Sequence, residues 1–503
     1  MAATVGAQRR GRGEQDNQPG KQETQGWRRQ GSGWSANSRW NFVVLGADVA
    51  FFTFALNISS AYVVLPLFVH QLTADNTAVA LIVALRALGL YAPQLLVARF
   101  VERRRHALPF ILRWTVLERV PYLTLALATL LLAQSHPDLL LILFFAMILL
   151  ALGGGGLTFP AWLDLIARAM PSNWLGRFLG FWQGLGGVLG IGGAALAAFV
   201  LAHVAWPLNF ALCFLLTFAA MVVSFALLAL GREPPRTLAD DESESPAPAP
   251  QNLVDEAGVR TAAAPERATG ARESAGRAGS HGSPNSTSTT SDALPGSLVS
   301  ESLRPGRMGA LWALLREDGG LRRLLVANAL GGFATMASAL FAVSALKLGG
   351  LSNAEVGAEA TVLALASTGG YLLWGLLGDA LGHKLVLACG AACAGLAALL
   401  AIWAQGVVPY ALIFLLMGLN LSATFIAGLT FIAEFGPAAK RPTYSALSSV
   451  AFAPFAVGTP LLAGWLADRW GYQPVFILSA LAGALTAFCF ITWVPDPRKR
   501  ARR

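Results

Sequence analysis

Ten residues in the last third of the chain, Gly375 to Lys384, set an acid, a turn-permitting glycine and two bases in fixed order: Gly-Leu-Leu-Gly-Asp-Ala-Leu-Gly-His-Lys. Their chemistry is that of a charged latch and not of bond breaking. Gly375 and Gly378 let a neighbouring helix approach closely. Asp379 stands at a helix end, where an acid is useful if it meets a base or the positive N-terminus of another helix. Gly382 can adopt the left-handed backbone that closes a tight turn, and His383 and Lys384 put positive charge beside it. An ordinary turn between two membrane helices would also use such residues. No H-E-x-x-H, nucleophile elbow or Cys/His cluster occurs, so an enzyme is not expected, and neither a cofactor nor a metal. The glycines of the fifth apolar segment, Gly180 to Gly193, follow no strand and are no dinucleotide fingerprint; close helix packing explains them.

The elements that must position these groups are apolar segments. The 503 residues are 55% hydrophobic and only 13% charged, with a mean hydropathy of +0.55, a membrane-protein profile. Segments near the roughly 20 residues that cross a bilayer fall at 43–69, 77–98, 110–134, 138–162, 177–202 and 207–230, then 323–347, 355–378, 384–404, 408–434, 443–467 and 474–494. The expected fold is therefore all-α, with twelve transmembrane helices in two bundles of six. Domain boundaries follow: a basic tail at 1–40, a first bundle at 41–231, a linker at 232–320, a second bundle at 321–495 and a basic tail at 496–503. The linker is rich in Ala, Pro, Ser, Glu and Arg and cannot bury enough apolar surface to order itself.

The net charge of +9 reflects orientation in a membrane, not nucleic-acid binding. Bases crowd the tails, the linker ends and alternate loops (Arg99, Arg103, Arg104, Arg105, Arg168, Lys440, Arg441), whereas the other loops hold only Lys347 and Arg469. This asymmetry predicts a multi-pass protein of the plasma or inner membrane with both termini cytoplasmic. The four cysteines, Cys213, Cys389, Cys393 and Cys489, all lie in apolar segments and read as small packing residues.

The halves look alike: Phe159 to Gln183 aligns without a gap with Phe425 to Ser449, setting Asp164 against Thr430 and Arg168 against Glu434. Together with G-x-x-x-D-x-x-G-x-K at Gly375 to Lys384, this resembles the major facilitator superfamily of secondary transporters. The resemblance implies alternating access, with Gly375, Asp379, Gly382 and Lys384 as the gating loop. The first half lacks that signature: Ala98 replaces the acid and Val101 the glycine. It further implies that the first, fourth, seventh and tenth helices line a cavity, which picks out Asn57, Ser60, the Gly153 to Gly156 run, Asn328, Thr335, Asn420 and Thr424.

Arg86, roughly 13 Å inside the second helix, either faces the cavity and attracts an anion or pairs with Asp48 or Glu118. Asn420 is the preferred polar contact, an interhelical hydrogen bond being the alternative. Arg113, Glu118 and Arg119 are expected at the interface, on a third helix that protrudes from the membrane, and Asp48 close enough to water to snorkel. The leading function is export of a small amphipathic or hydrophobic solute by a monomer in the lipid bilayer, with a coupling proton left open. Uptake of a sugar or other polar nutrient, and a non-transporting scaffold or sensor, are the alternatives.

Overall fold

A computed structural model of the chain describes residues 36–102, 106–170, 172–233, 316, 318–435 and 441–496. The three polar segments expected outside the bundles, and Lys440, lie almost wholly outside these residues. The described residues are helical throughout, with no strand. In the first half the helices are α1 (Ala36–Ile58), α2 (Val64–Leu72), α3 (Asn76–Glu102), α4 (Leu108–Trp114), α5 (Val116–Leu132), α6 (Pro137–Ala169), α7 (Ser172–His203) and α8 (Leu208–Ala229). In the second half they are α9 (Gly319–Ala334), α10 (Phe341–Lys347), α11 (Asn353–Leu381), α12 (His383–Ala401), α13 (Val407–Phe435), α14 (Arg441–Trp470) and α15 (Tyr472–Phe488). With α1–α2, α4–α5 and α9–α10 each taken as one broken span, the twelve expected crossings are all present. The first begins at Ala36 and the seventh at Gly319, a little ahead of the sequence boundaries.

Among the described residues ten spans are long and apolar enough to cross a bilayer, and α3 and α14 complete the twelve. These two helices come from opposite halves and pack along one another, as do α7 and α11. Glycines permit both seams. A Cβ at Gly464 of α14 would stand 2.6 Å from the Thr77 backbone of α3, and one at Gly187 of α7 would stand 2.7 Å from the Thr368 side chain of α11.

The glycine-dense α7 is used as expected, for close packing. Gly186, Gly190 and Gly193 form one stripe against Thr53, Asn57 and Phe54 of α1. In the α6 run, Gly156 meets the backbone of Gly89 and Leu90 in α3 and Gly154 meets Leu117 and Glu118 in α5, whereas Gly153 faces open space.

The first and seventh spans break at corresponding places. α1 stops at Ile58 and α2 resumes at Val64; α9 stops at Ala334, a 3-10 turn covers Met336–Ala339, and α10 starts at Phe341. Interrupted helices at equivalent positions of two repeats mark where such bundles hold ligands.

Candidate functional site

The break in the first span places Tyr62 beneath Arg86. The guanidinium of Arg86 lies 5.1 Å from the Tyr62 ring centroid and within electrostatic reach of Tyr371 on α11. Tyr371 in turn meets Phe425 of α13 edge-on, with ring centroids 5.7 Å apart. One exposed cation thus stands beside aromatic rings contributed by both halves. A guanidinium over an aromatic face retains free donors for an anion.

The two acids that could have neutralised Arg86 are engaged elsewhere. Asp48 accepts from the Ser224 hydroxyl at 2.5 Å. Glu118 pairs with Arg119 at 3.2 Å and accepts from the hydroxyls of Thr115 and Thr158 at 2.8 Å each. Arg119 also donates to Thr115, Ser224 and the Met221 carbonyl. This network is sealed: Asp48, Glu118 and Arg119 are 5%, 7% and 5% exposed. The interfacial placement of Glu118 and Arg119 is therefore corrected, and so is the snorkelling Asp48. In the third span, α4 and α5 meet at Thr115; Glu118 and Arg119 are buried, and of the three Arg113 is exposed.

The other expected site residues divide by environment. Asn57 is half-buried, donates to the Thr53 carbonyl and packs on Gly190. Thr335 sits at the break of the seventh span, its hydroxyl donating to the carbonyls of Gly331 and Gly332. Asn328 reaches Ser448 of α14 at 3.2 Å, and Thr424 is exposed. Asn420 takes the interhelical alternative: it is buried and its amide donates to the Gly390 carbonyl of α12 at 2.8 Å. Trp374 is likewise packed, donating to the Leu419 carbonyl.

At the face that carries both termini, the Gly375 to Lys384 loop keeps part of its expected form. Gly382 has φ +102°, and the Lys384 ammonium donates to the Ile491 carbonyl at 3.1 Å. Asp379 is exposed in the last turn of α11. It is Gly378 that receives a close neighbour, the His383 ring, whereas Gly375 faces open space. On α6, Asp164 and Arg168 pair at 2.6 Å, and Glu233 joins Arg168 at 2.9 Å; the side chain of Glu434 lies outside the described set. Trp40, Asn41 and Arg232 bind the start of α1 to the end of α8 on this same face.

The opposite face is latched by residues that carry no motif. Asp468, past the apolar part of α14, accepts from the backbone N–H and side-chain amide of Asn76 at 2.8 and 2.7 Å. It also accepts from the N–H and hydroxyl of Thr77 at 2.9 and 2.7 Å. These donors form the N-terminus of α3, so a carboxylate of one half caps a helix of the other. Tyr472 donates to the Asn76 side chain, Lys347 to the Ala74 carbonyl at 3.4 Å and Gln71 to Asn353 at 3.4 Å. Burial pushes the Asp468 carboxyl up, but hydrogen bonds from Asp75, Thr77 and Asn76 outweigh it and hold it at about 2. Burial and the neighbouring Asp468 raise Asp75 above the ordinary carboxylate range.

The sequence model of the major facilitator superfamily matches residues 47–349 and 324–503. Among curated proteins none matches significantly. Solved structures share the fold at low identity. A variant of the nucleoside transporter NupG aligns with TM-score 0.60 and 12% identity over 90% of this chain and 98% of its own. A D-xylose–proton symporter aligns with TM-score 0.59 and 15% identity over 92% and 98%. A POT family transporter in complex with a thioalcohol-conjugated peptide aligns with TM-score 0.60 and 13% identity over 90% and 96%.

Proposed function

Since the chain belongs to the major facilitator superfamily of transporters, we propose that it carries a small amphipathic organic anion across the membrane by alternating access, and carries it outward. The observation that supports this is Arg86: an exposed guanidinium mid-way along α3 with no acid paired to it among the described residues, beside Tyr62 and Tyr371 from opposite halves. A charge inside a bilayer is expensive and is retained for a ligand or a partner. Asp48 and Glu118 are not its partners, so a ligand remains.

Aromatic surfaces around one cation select a solute with an apolar body and one negative group. A sugar would ask for amides and acids, but Asn420 is spent between helices. Asn57 and Thr335, at or near the two helix breaks, line the pathway beside Arg86, as does the exposed Thr424; Asn328 supports it from α9. With the latch of Asp468 closing one face, Arg86 is reached from the face bearing the termini. The distribution of bases makes that face cytoplasmic. An inside-negative potential drives an anion outward with about 2.3 kcal/mol per charge per 100 mV, so export needs no other source of energy. One chain supplies both halves of the cleft, and a monomer suffices.

The test is thermal stabilisation of the detergent-purified protein by an aromatic sulfonate, a lipophilic cation and a simple sugar, each with wild type and Arg86→Ala. Binding raises the apparent melting temperature by mass action. The sulfonate alone should stabilise wild type, and Arg86→Ala should lose that shift. Stabilisation by the sugar alone would replace this reading with uptake of a polar nutrient, and stabilisation by nothing would favour a scaffold. Efflux of the sulfonate from loaded vesicles, accelerated by a potential negative inside, then tests direction.

A further inference from the structure

A groove runs between α3 and α5 across the surface of α6. Leu88 and Pro93 of α3, Leu117 of α5 and Leu149, Leu150 and Gly153 of α6 line it, and its volume is about 420 Å³, within the range of roughly 300–1,000 Å³ that holds small organic ligands. Every side chain that lines it is apolar. Its depth comes from Gly153, where an added Cβ would meet nothing within 4 Å: the glycine leaves a hollow that any other residue would occupy.

The groove is separate from the cleft beside Arg86. Leu88 stands two residues after Arg86, about 200° round the helix, and so on its far side. Behind the groove the helices close on one another: a Cβ at Gly89 would stand 2.6 Å from Leu152, and one at Gly154 would stand 3.0 Å from Leu117. The mouth is rimmed by Leu88, Leu149 and Leu150, all exposed on helices that cross the bilayer. It therefore opens onto lipid.

Position along the helices decides which leaflet the groove meets. α4 starts at the face that carries the termini, where the N–H groups of Ala107 and Leu108 donate to Glu233. Leu117 comes nine residues after Leu108, about 13 Å inward, and the hydrocarbon of one leaflet is about 15 Å deep. Chains of the leaflet on that face thus reach the groove. Four residues before Leu117, about one helical turn nearer the surface, stands Arg113, exposed beside the exposed Trp114. Among the described residues no acid pairs with Arg113. An arginine near a helix end extends its guanidinium to the headgroups, and tryptophan favours the same level.

We propose that this groove binds an anionic phospholipid of that leaflet, with one acyl chain lying along Gly153 and the phosphate on Arg113. An occupant without polar groups along its length suits a lining without polar side chains, and a chain recovers the dispersion contacts that an empty hollow forfeits. Arg113 adds selection by charge. Its guanidinium can hold two phosphate oxygens through parallel N–H donors, and bases at the membrane surface attract anionic headgroups. A neutral lipid would fill the groove but leave the cation unpaired. The inference uses only the packing of the first half and holds whatever the cargo is.

The experiment is native mass spectrometry of the full chain released from detergent, titrated with phosphatidylglycerol and separately with phosphatidylcholine of the same chains. Wild type should retain one phosphatidylglycerol about fivefold more tightly than phosphatidylcholine, the effect of one base at a membrane surface. Arg113→Ala should remove the preference and leave weak binding of both lipids. Gly153→Leu, which fills the hollow from within, should lose both. Should Gly153→Leu fail to fold, Leu150→Trp, a larger side chain on the exposed rim, should weaken both in the same way. Arg86→Ala should bind as wild type does. Equal retention of the two lipids by wild type overturns the proposal, and so does a preference unchanged in Arg113→Ala or retention unchanged in either groove variant. Loss of the preference in Arg86→Ala also overturns it, by placing the lipid in the cleft. The aromatic sulfonate takes no part, so failure here is separate from failure of the cargo assignment.

Discussion

Each face carries an acid in the last turns of a helix, Asp468 in α14 and Asp379 in α11, in different surroundings. At the face without termini, Asp468 is engaged by four donors from Asn76 and Thr77 and draws α14 onto α3. At the face with the termini, Asp379 is exposed at the end of α11, beside the left-handed Gly382. Two acids alike in chemistry thus differ in where their helix terminus meets the other half. A structure closed at one face should depend on one of them and be indifferent to the other.

The largest effect is expected from Asp468→Ala. Charged hydrogen bonds each contribute about 1.5–3 kcal/mol in sheltered sites. Asp468 is largely in contact with water, so we expect roughly 1–2 kcal/mol for the whole latch, a factor of about 5–30 in the closed-to-open ratio. Distances between spin labels at Ala74→Cys and Leu348→Cys, across that face, with Cys213, Cys389, Cys393 and Cys489 replaced by alanine, measure that ratio directly. If the distance distribution does not move, Asp468 is a surface cap and the comparison between faces fails.

Asp379→Asn is the counterpart. It should leave that distance distribution as it is, because the labels lie at the opposite face. Transport should nevertheless fall, by roughly tenfold if the loop contributes about 1.4 kcal/mol to closing its own face. Unchanged flux would remove the gating role of the loop, and a shifted distance would show that the two faces do not act independently.

A smaller effect is expected at Gly382. Its φ of +102° is strained for any residue with a Cβ, so Gly382→Ala should destabilise the turn between α11 and α12 by about 1 kcal/mol. Thermal unfolding would report this as a lower melting temperature with the far-face distance unchanged. Equal stability of the two proteins would mean that the turn relaxes.

Legibility in the sequence follows this division between the faces. The twelve spans could be read from hydropathy and length, because a bilayer imposes both on each helix separately. Gly382 could be read because a positive φ selects glycine locally. Asp468 could not: it sits 392 residues from Asn76, and two of its four donors are backbone N–H groups, which any sequence supplies. The network of Asp48, Glu118 and Arg119 was hidden by the break at Thr115, which no proline or glycine announces. Arg86 was visible as an intramembrane charge, but whether it faced a ligand or an acid depended on where Asp48 and Glu118 turned. Asn420, a mid-membrane amide, invited the opposite error, since α12 offers the Gly390 carbonyl only once the bundle is assembled.

The smallest expected effect is the pH dependence of the latch. Asp468 is held at about 2 in the closed face, against about 3.9 for an unperturbed aspartate. A carboxyl depressed on closure stabilises the closed state in full above the higher value, and the contribution disappears as pH falls toward the lower one. Asp75, raised by burial and by Asp468, works in reverse: its contribution is present when protonated and is lost as pH rises through its raised value. Acidification from pH about 3.9 toward about 2 should therefore open the face through Asp468, by less than tenfold because solvent screens so exposed a group. In Asp468→Asn this acid limb should be flat. An acid limb that survives the substitution would assign the opening to general unfolding and leave the Asp468 latch without a role in it.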